Sequence, residues 1–76
     1  MAKIKISGET PFQVLAHSFS VSPSTSGYLL QYSANGEQFT SYSKETPANE
    51  NLIVNGIGKF MYFKLSGNTD TVDIQY

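Results

Sequence analysis

Few residues in this 76-residue chain are able to do chemistry, and their spacing decides what they can do. His17 is the single imidazole. As a general base it would need a nucleophile and an orienting acid within reach. No such partner stands out, because serine is spread over the whole chain. Within "VLAHSFS" (14–20) His17 reads instead as a strand residue that is hydrogen-bonded or faces the rim. "SGNTDTVD" (66–73) gathers the oxygen ligands Asn68, Thr69, Asp70 and Asp73. Calcium takes roughly six to eight oxygens, yet Asp70 and Asp73 differ in strand parity and no dense Asp-x-Asp spacing is present. The stretch therefore reads as a polar turn followed by an outward strand aspartate. Glu45 and Glu50 belong in the same way to a solvated loop. With no cysteine in the chain, disulfides and thiolate zinc sites are excluded. No catalytic residue, metal or cofactor is assigned, and the chain is read as a non-enzyme.

The remaining candidates are aromatic. A half-buried strand alternates apolar and polar residues, but in "GKFMYFKLSGN" (58–68) Phe60, Met61, Tyr62 and Phe63 are consecutive. Phe60 and Tyr62, with Tyr28 and Tyr42, admit three readings. They belong to one core, they anchor a protein–protein interface where Tyr and Phe are enriched, or they stack on sugar rings. The absence of tryptophan weakens the last. As partner-binding residues the sequence nominates Phe60, Tyr62, Lys64 and Tyr42, with a protein assembly as the partner and a glycan as the alternative.

The elements that must position these residues are strands. Ser, Thr, Asn, Gly and Pro supply 30 of the 76 residues and cluster between short apolar runs, the punctuation of an all-β chain. "KIKIS" (3–7) alternates, with Ile4 and Ile6 inward and Lys3 and Lys5 outward as an edge strand would carry them. "FQVLAHSFSV" (12–21) changes parity between Val14 and Phe19, which requires a bulge or bend near residues 16–18 and lets one segment serve two sheets. "YLLQYSANGEQFTSY" (28–42) predicts a hairpin about a two-residue Asn35-Gly36 turn, placing Tyr32 opposite Phe39 and Leu30 opposite Ser41. "SKETPANEN" (43–51) is a loop crossing between sheets, and "LIVN" (52–55) a short strand. The last segment predicts a hairpin around Gly67-Asn68, with Phe63 opposite Val72 and Met61 opposite Ile74. In that register Phe60, Tyr62 and Lys64 lie on the other face, opposite Gln75, Asp73 and Thr71. About seven short, mostly antiparallel strands follow, in a single compact β-sandwich spanning 1–76, with a small barrel as the alternative.

Composition narrows the partners. Five lysines face six acids with no arginine, and the lysines are scattered, which argues against nucleic acid. No apolar run reaches the ~18 residues of a membrane helix, and "MAKIKISGET" has no signal-peptide pattern. The chain reads as soluble and made in the cytoplasm. A core this small buries only about 60–65% of the unfolded surface. Small scaffolds without disulfide or metal draw on association, so pairing with like or unlike chains, in a homo-oligomer or a larger protein assembly, is the expected setting.

Two resemblances bear on this reading. "YLLQYSANGEQFTSYS" (28–43) followed by "YFKLSGN" (62–68) resembles signature strands of discoidin-type sandwiches, over about a third of the chain. The chain as a whole resembles small capsid-decorating or auxiliary head proteins of tailed phages of the gut Bacteroidetes type. That likeness rests on the "MAKIKISG" start, the cysteine-free Ser/Thr/Asn-rich strands, and "PANENLIVNGIGKFMYFKLSGN". It implies a structural role on a virion after synthesis in the host cytoplasm, with no catalytic residues.

Overall fold

The computed structural model of the protein describes residues 2–42, 45–56 and 61–76. Among them eight strands form two four-stranded antiparallel sheets. The strands are β1 (Lys3–Ser7), β2 (Phe12–Gln13), β3 (Ser18–Val21), β4 (Leu29–Ser33), β5 (Thr40–Ser41), β6 (Leu52–Asn55), β7 (Tyr62–Ser66) and β8 (Thr71–Gln75). One sheet runs β1-β8-β3-β6 and the other β2-β7-β4-β5. Among the described residues there is no helix, and the expected all-β sandwich is the fold found.

Alternation builds the first sheet. In β1 the lysines point out while Ile6 is buried, and β1 is an edge strand as its lysines require. In β8, Val72 and Ile74 point in and Thr71, Asp73 and Gln75 out. The parity change in 12–21 is the point at which the chain changes sheets. Phe12 and Val14 are buried in step with β2, a bend spans 15–17, and Phe19 and Val21 are buried in β3 of the opposite sheet. The expected crossing between sheets over 43–51 is found too, since β5 and β6 on either side of it belong to different sheets.

The core lies between the layers. Phe12 and Phe63 from one sheet meet Phe19 from the other, with ring centroids 5.8 Å (Phe12–Phe19) and 4.9 Å (Phe19–Phe63) apart in edge-on contacts. Edge-to-face rings at such distances are favoured over stacked ones. Val14, Val21, Tyr28, Leu30, Val54, Leu65, Val72 and Ile74 complete it.

Three expectations are corrected. His17 is exposed in the 15–17 bend and not in a strand. The chain from β7 to β8 is not a hairpin: β7 pairs with β2 and β4, β8 with β1 and β3. Phe63 therefore lies opposite Phe12 and Tyr32, while Val72 and Ile74 lie opposite Ile6 and Ile4. Asn68 is the cause. Its buried side chain accepts from Ser24 Oγ (2.8 Å) and the Asp70 amide (3.2 Å), and donates to the carbonyls of Gly8 (3.1 Å) and Asp70 (2.8 Å). Those bonds turn 66–70 into a corner between sheets, tied to the loops at 8–10 and 22–27.

The third correction concerns 28–42, where the register is shifted by one: Tyr32 lies opposite Thr40 and Gln31 opposite Ser41. The loop is longer than two residues because side chains organise it. Ser33 Oγ accepts from the amides of Asn35 (3.2 Å) and Gly36 (2.9 Å), and Asn35 Oδ1 accepts from those of Glu37 (2.9 Å) and Gln38 (3.2 Å). Such local bonds compete with a tight turn.

Candidate functional site

Among the described residues the acids and His17 do not assemble into a catalytic or metal-binding group. Asp70 Oδ2 accepts from the Thr25 hydroxyl (2.6 Å) and amide (2.9 Å), and these bonds hold its carboxyl below the usual aspartate range. Asp73 sits between Lys5 (3.3 Å) and Lys3 (3.9 Å) on the outer face of the first sheet. Exposed pairs of this kind contribute little. Among the described residues no three His, Asp or Glu side chains gather as metal ligands.

The nominated aromatics go to different places. Tyr28 is in the core, 1% exposed. Phe60 lies outside the described residues. Tyr62 and Lys64 point to the outer face of the second sheet, because their neighbours Phe63 and Leu65 fill the inner one. Tyr62 stands across from Gln13 and Ser33, and Lys64 across from Gln31. Lys64 reaches over the Phe39 ring, its Nζ 4.8 Å from the centroid, a cation–π contact. The 34–39 loop folds back over the neighbouring ring: a Cβ on Gly36 would lie 3.5 Å from Cγ of Tyr62. Gly36 has φ +77°, a left-handed conformation that glycine adopts without strain.

Tyr42 is elsewhere. It takes inner-face parity beside β5, packs edge-on against Tyr32 at 6.1 Å, and donates from its hydroxyl to the Asn55 carbonyl of the other sheet at 3.4 Å. It thus bridges the two layers and is still 42% exposed. Tyr62 and Lys64 share this outer face and Lys64 meets Phe39 there, and Tyr42 is not with them.

Sequence reasoning passed over a second surface. On the outer face of the first sheet, β3 shows only Ser18 and Ser20, with Ser22 just beyond. Small side chains on a central strand leave a trough between taller neighbours. Ser20, Ser22, Asn51, Ile53 and Gln75 border a hollow of about 260 Å³ there. Ile53 rises from its rim, 68% exposed. The alternate serines of "SFSVS" were the available signal. No protein-family model matches the chain, and neither a curated protein nor a solved structure matches it significantly.

Proposed function

We propose that the protein is a non-enzymatic structural module, a small β-sandwich that binds a larger protein assembly, with the head of a tailed phage as its setting. The observation that supports this is the outer face of β7. Phe63 and Leu65 already fill the inner face, yet Tyr62, Phe39 and Lys64 remain partly exposed on the other side among Gln13, Gln31 and Ser66, with Leu29 as one further apolar neighbour. An aromatic centre with a polar surround is the composition of an interface core and its rim. Binding a partner to the folded state also adds to the stability of a domain this small. A glycan would need an open ring face, and Gly36 already lies against one face of Tyr62.

Co-sedimentation with virion particles from the native source tests the reading. Tyr62→Ser is expected to stay folded by circular dichroism and to remain in the supernatant while the wild type pellets. An unchanged pellet sinks the proposal, and so does an unfolded variant, which would make Tyr62 a structural residue. A sugar titration followed by tyrosine fluorescence separates the glycan reading.

A further inference from the structure

Four strands form the edges of the two sheets, and three of them are guarded. β1 carries Lys3 and Lys5; β2 is two residues long and preceded by Pro11; β5 is two residues long, and the chain beyond it returns to Tyr28 at Thr46 and meets Pro47. Charges, proline and shortness are the devices that stop an edge from pairing with another chain. β6 has none of them. Its residues, Leu52–Asn55, include no charge and no proline, and among the described residues β6 pairs on one side only, with β3. The unguarded edge is also where exposed apolar surface collects. Of the three large apolar side chains exposed among the described residues, Ile53 stands above this edge and Tyr42, bonded to the Asn55 carbonyl, lies below it.

The sequence of the edge says what covers it. Residues 51–55 read Asn-Leu-Ile-Val-Asn, which is nearly the same in both directions about Ile53. We infer that two copies of the chain pair antiparallel through β6, about a two-fold axis at Ile53, joining the two β1-β8-β3-β6 sheets into one. In that register Ile53 faces its own copy, Leu52 faces Val54, and Asn51 faces Asn55. Directly opposite residues point to the same side of a sheet. The two exposed isoleucines therefore cover each other on the outer face, flanked by asparagine pairs, while Leu52 and Val54 extend the inner one. No like charges meet: Glu50 falls opposite Gly56, and the two Glu50 side chains lie at opposite ends, roughly 20 Å apart at strand rise and beyond a Debye length. The interface is isologous and closes at two copies. It shares with the assembly reading only the view that this chain works by association, and it uses a different surface.

Sedimentation velocity over a concentration series tests this, with Ile53→Lys and Ile53→Glu made separately. The wild type is expected to reach twice the 8.4 kDa chain mass. Each variant places two like charges at the axis and is expected to weaken self-association about a hundredfold or more, with circular dichroism retained because Ile53 is exposed and with the melting temperature of the wild type diluted to monomer. Mixing the two variants is expected to restore the dimer, since Lys then faces Glu. Ile53→Cys in this cysteine-free chain is expected to cross-link to its copy on mild oxidation, because opposed strand residues lie about 4.5–5.5 Å apart at Cα. Ser20→Cys, one strand further in, is expected not to. A single 8.4 kDa species up to about millimolar concentration overturns the inference. A dimer untouched by both charged variants overturns it too, as does a failure of mixing to restore the dimer together with no Ile53→Cys cross-link. Tyr62→Ser is expected to leave the dimer intact, so a variant that still binds particles while the dimer is retained counts against the assembly reading alone.

Discussion

Tyr28 is held at both ends of its backbone, its amide donating to the Thr46 carbonyl (3.0 Å) and its carbonyl accepting from the Thr46 amide (2.7 Å). Its ring is 1% exposed, and its hydroxyl is the one buried side-chain polar atom among the described residues that has no hydrogen-bond partner. A buried hydroxyl left unpaired costs about 1–3 kcal/mol in lost hydration. Tyr28→Phe removes that oxygen, keeps the ring, and leaves a void no larger than the oxygen itself. The variant is therefore expected to be more stable than the wild type by about 1–2 kcal/mol at neutral pH. For a domain of this size each kcal/mol moves the melting temperature by about 4–8 °C. Thermal and urea unfolding measure both. A melting temperature unchanged or lowered would refute the reasoning, because it would mean that the hydroxyl makes a stabilising hydrogen bond in solution.

The same residue gives an independent check through pH. Burial pushes the phenol up from 10.0 to about 12. In the unfolded chain the phenol loses its proton first, so above pH 10 the unfolded state binds fewer protons and stability falls as pH rises. The contribution is fully present below pH 10 and lost as pH rises through 12, about 3 kcal/mol across that window. Tyr28→Phe lacks it, while every other titrating group is common to both proteins. The stability difference between variant and wild type is expected to widen by that amount across the window. Parallel curves would show that the phenol is hydrated in the folded state.

Other perturbations address the two loop devices and the polar corner. Asn68→Ala unties the corner between 8–10, 22–27 and 66–70 and is expected to cost about 2–4 kcal/mol in urea unfolding, since several buried partners lose their bonds together. Gly36→Ala is expected to cost about 1–2 kcal/mol by thermal unfolding: φ is +77°, and the added Cβ makes only ordinary contact with Tyr62, so the penalty is conformational. Thr25→Val deletes the shorter of the two bonds to Asp70, and NMR titration is expected to show the carboxyl moving back up toward its ordinary range. The stability that the lowered pKa confers is present above the unfolded-state value and lost as pH falls through the folded one, so the variant is expected to lose less on acidification.

What the sequence shows well is decided by alternation within one segment. "KIKIS" gives its inward and outward faces and its edge position directly, and the parity switch between Val14 and Phe19 marks the crossing between sheets without knowledge of any partner strand. What it conceals is decided by side chains acting across distance. Gly67-Asn68 carries the composition of a hairpin turn, but Asn68 bonds to Gly8 and Ser24, residues far away in the chain, and no local rule reveals that. Asn35-Gly36 has the strongest short turn signal, yet Ser33 and Asn35 capture four amides and lengthen the loop over Tyr62. The same limit applied to the surface. Tyr62 and Lys64 were legible as outward residues because Phe63 and Leu65 are obviously inward, whereas Phe39 joined them only through the shifted register. Ile53 gave no signal of its own, since "LIVN" reads as a fully buried run.

The position of Ile53 gains its meaning from the rest of the fold. A β-sandwich of 76 residues has four edges and little core with which to stabilise them. Two edges are cut to two residues and one is charged, so the chain gives up strand length or apolar contact at each. Were β6 also to face solvent, a lysine at 53 would be the inexpensive solution, because an outward side chain there supports no internal packing. An isoleucine at that position adds apolar surface that the isolated domain does not bury, at the centre of a stretch that matches its own reverse. A hydrophobic residue kept where a charge would serve the monomer better is evidence for a state in which that residue is covered. The charge-swapped pair at residue 53 asks for that state directly.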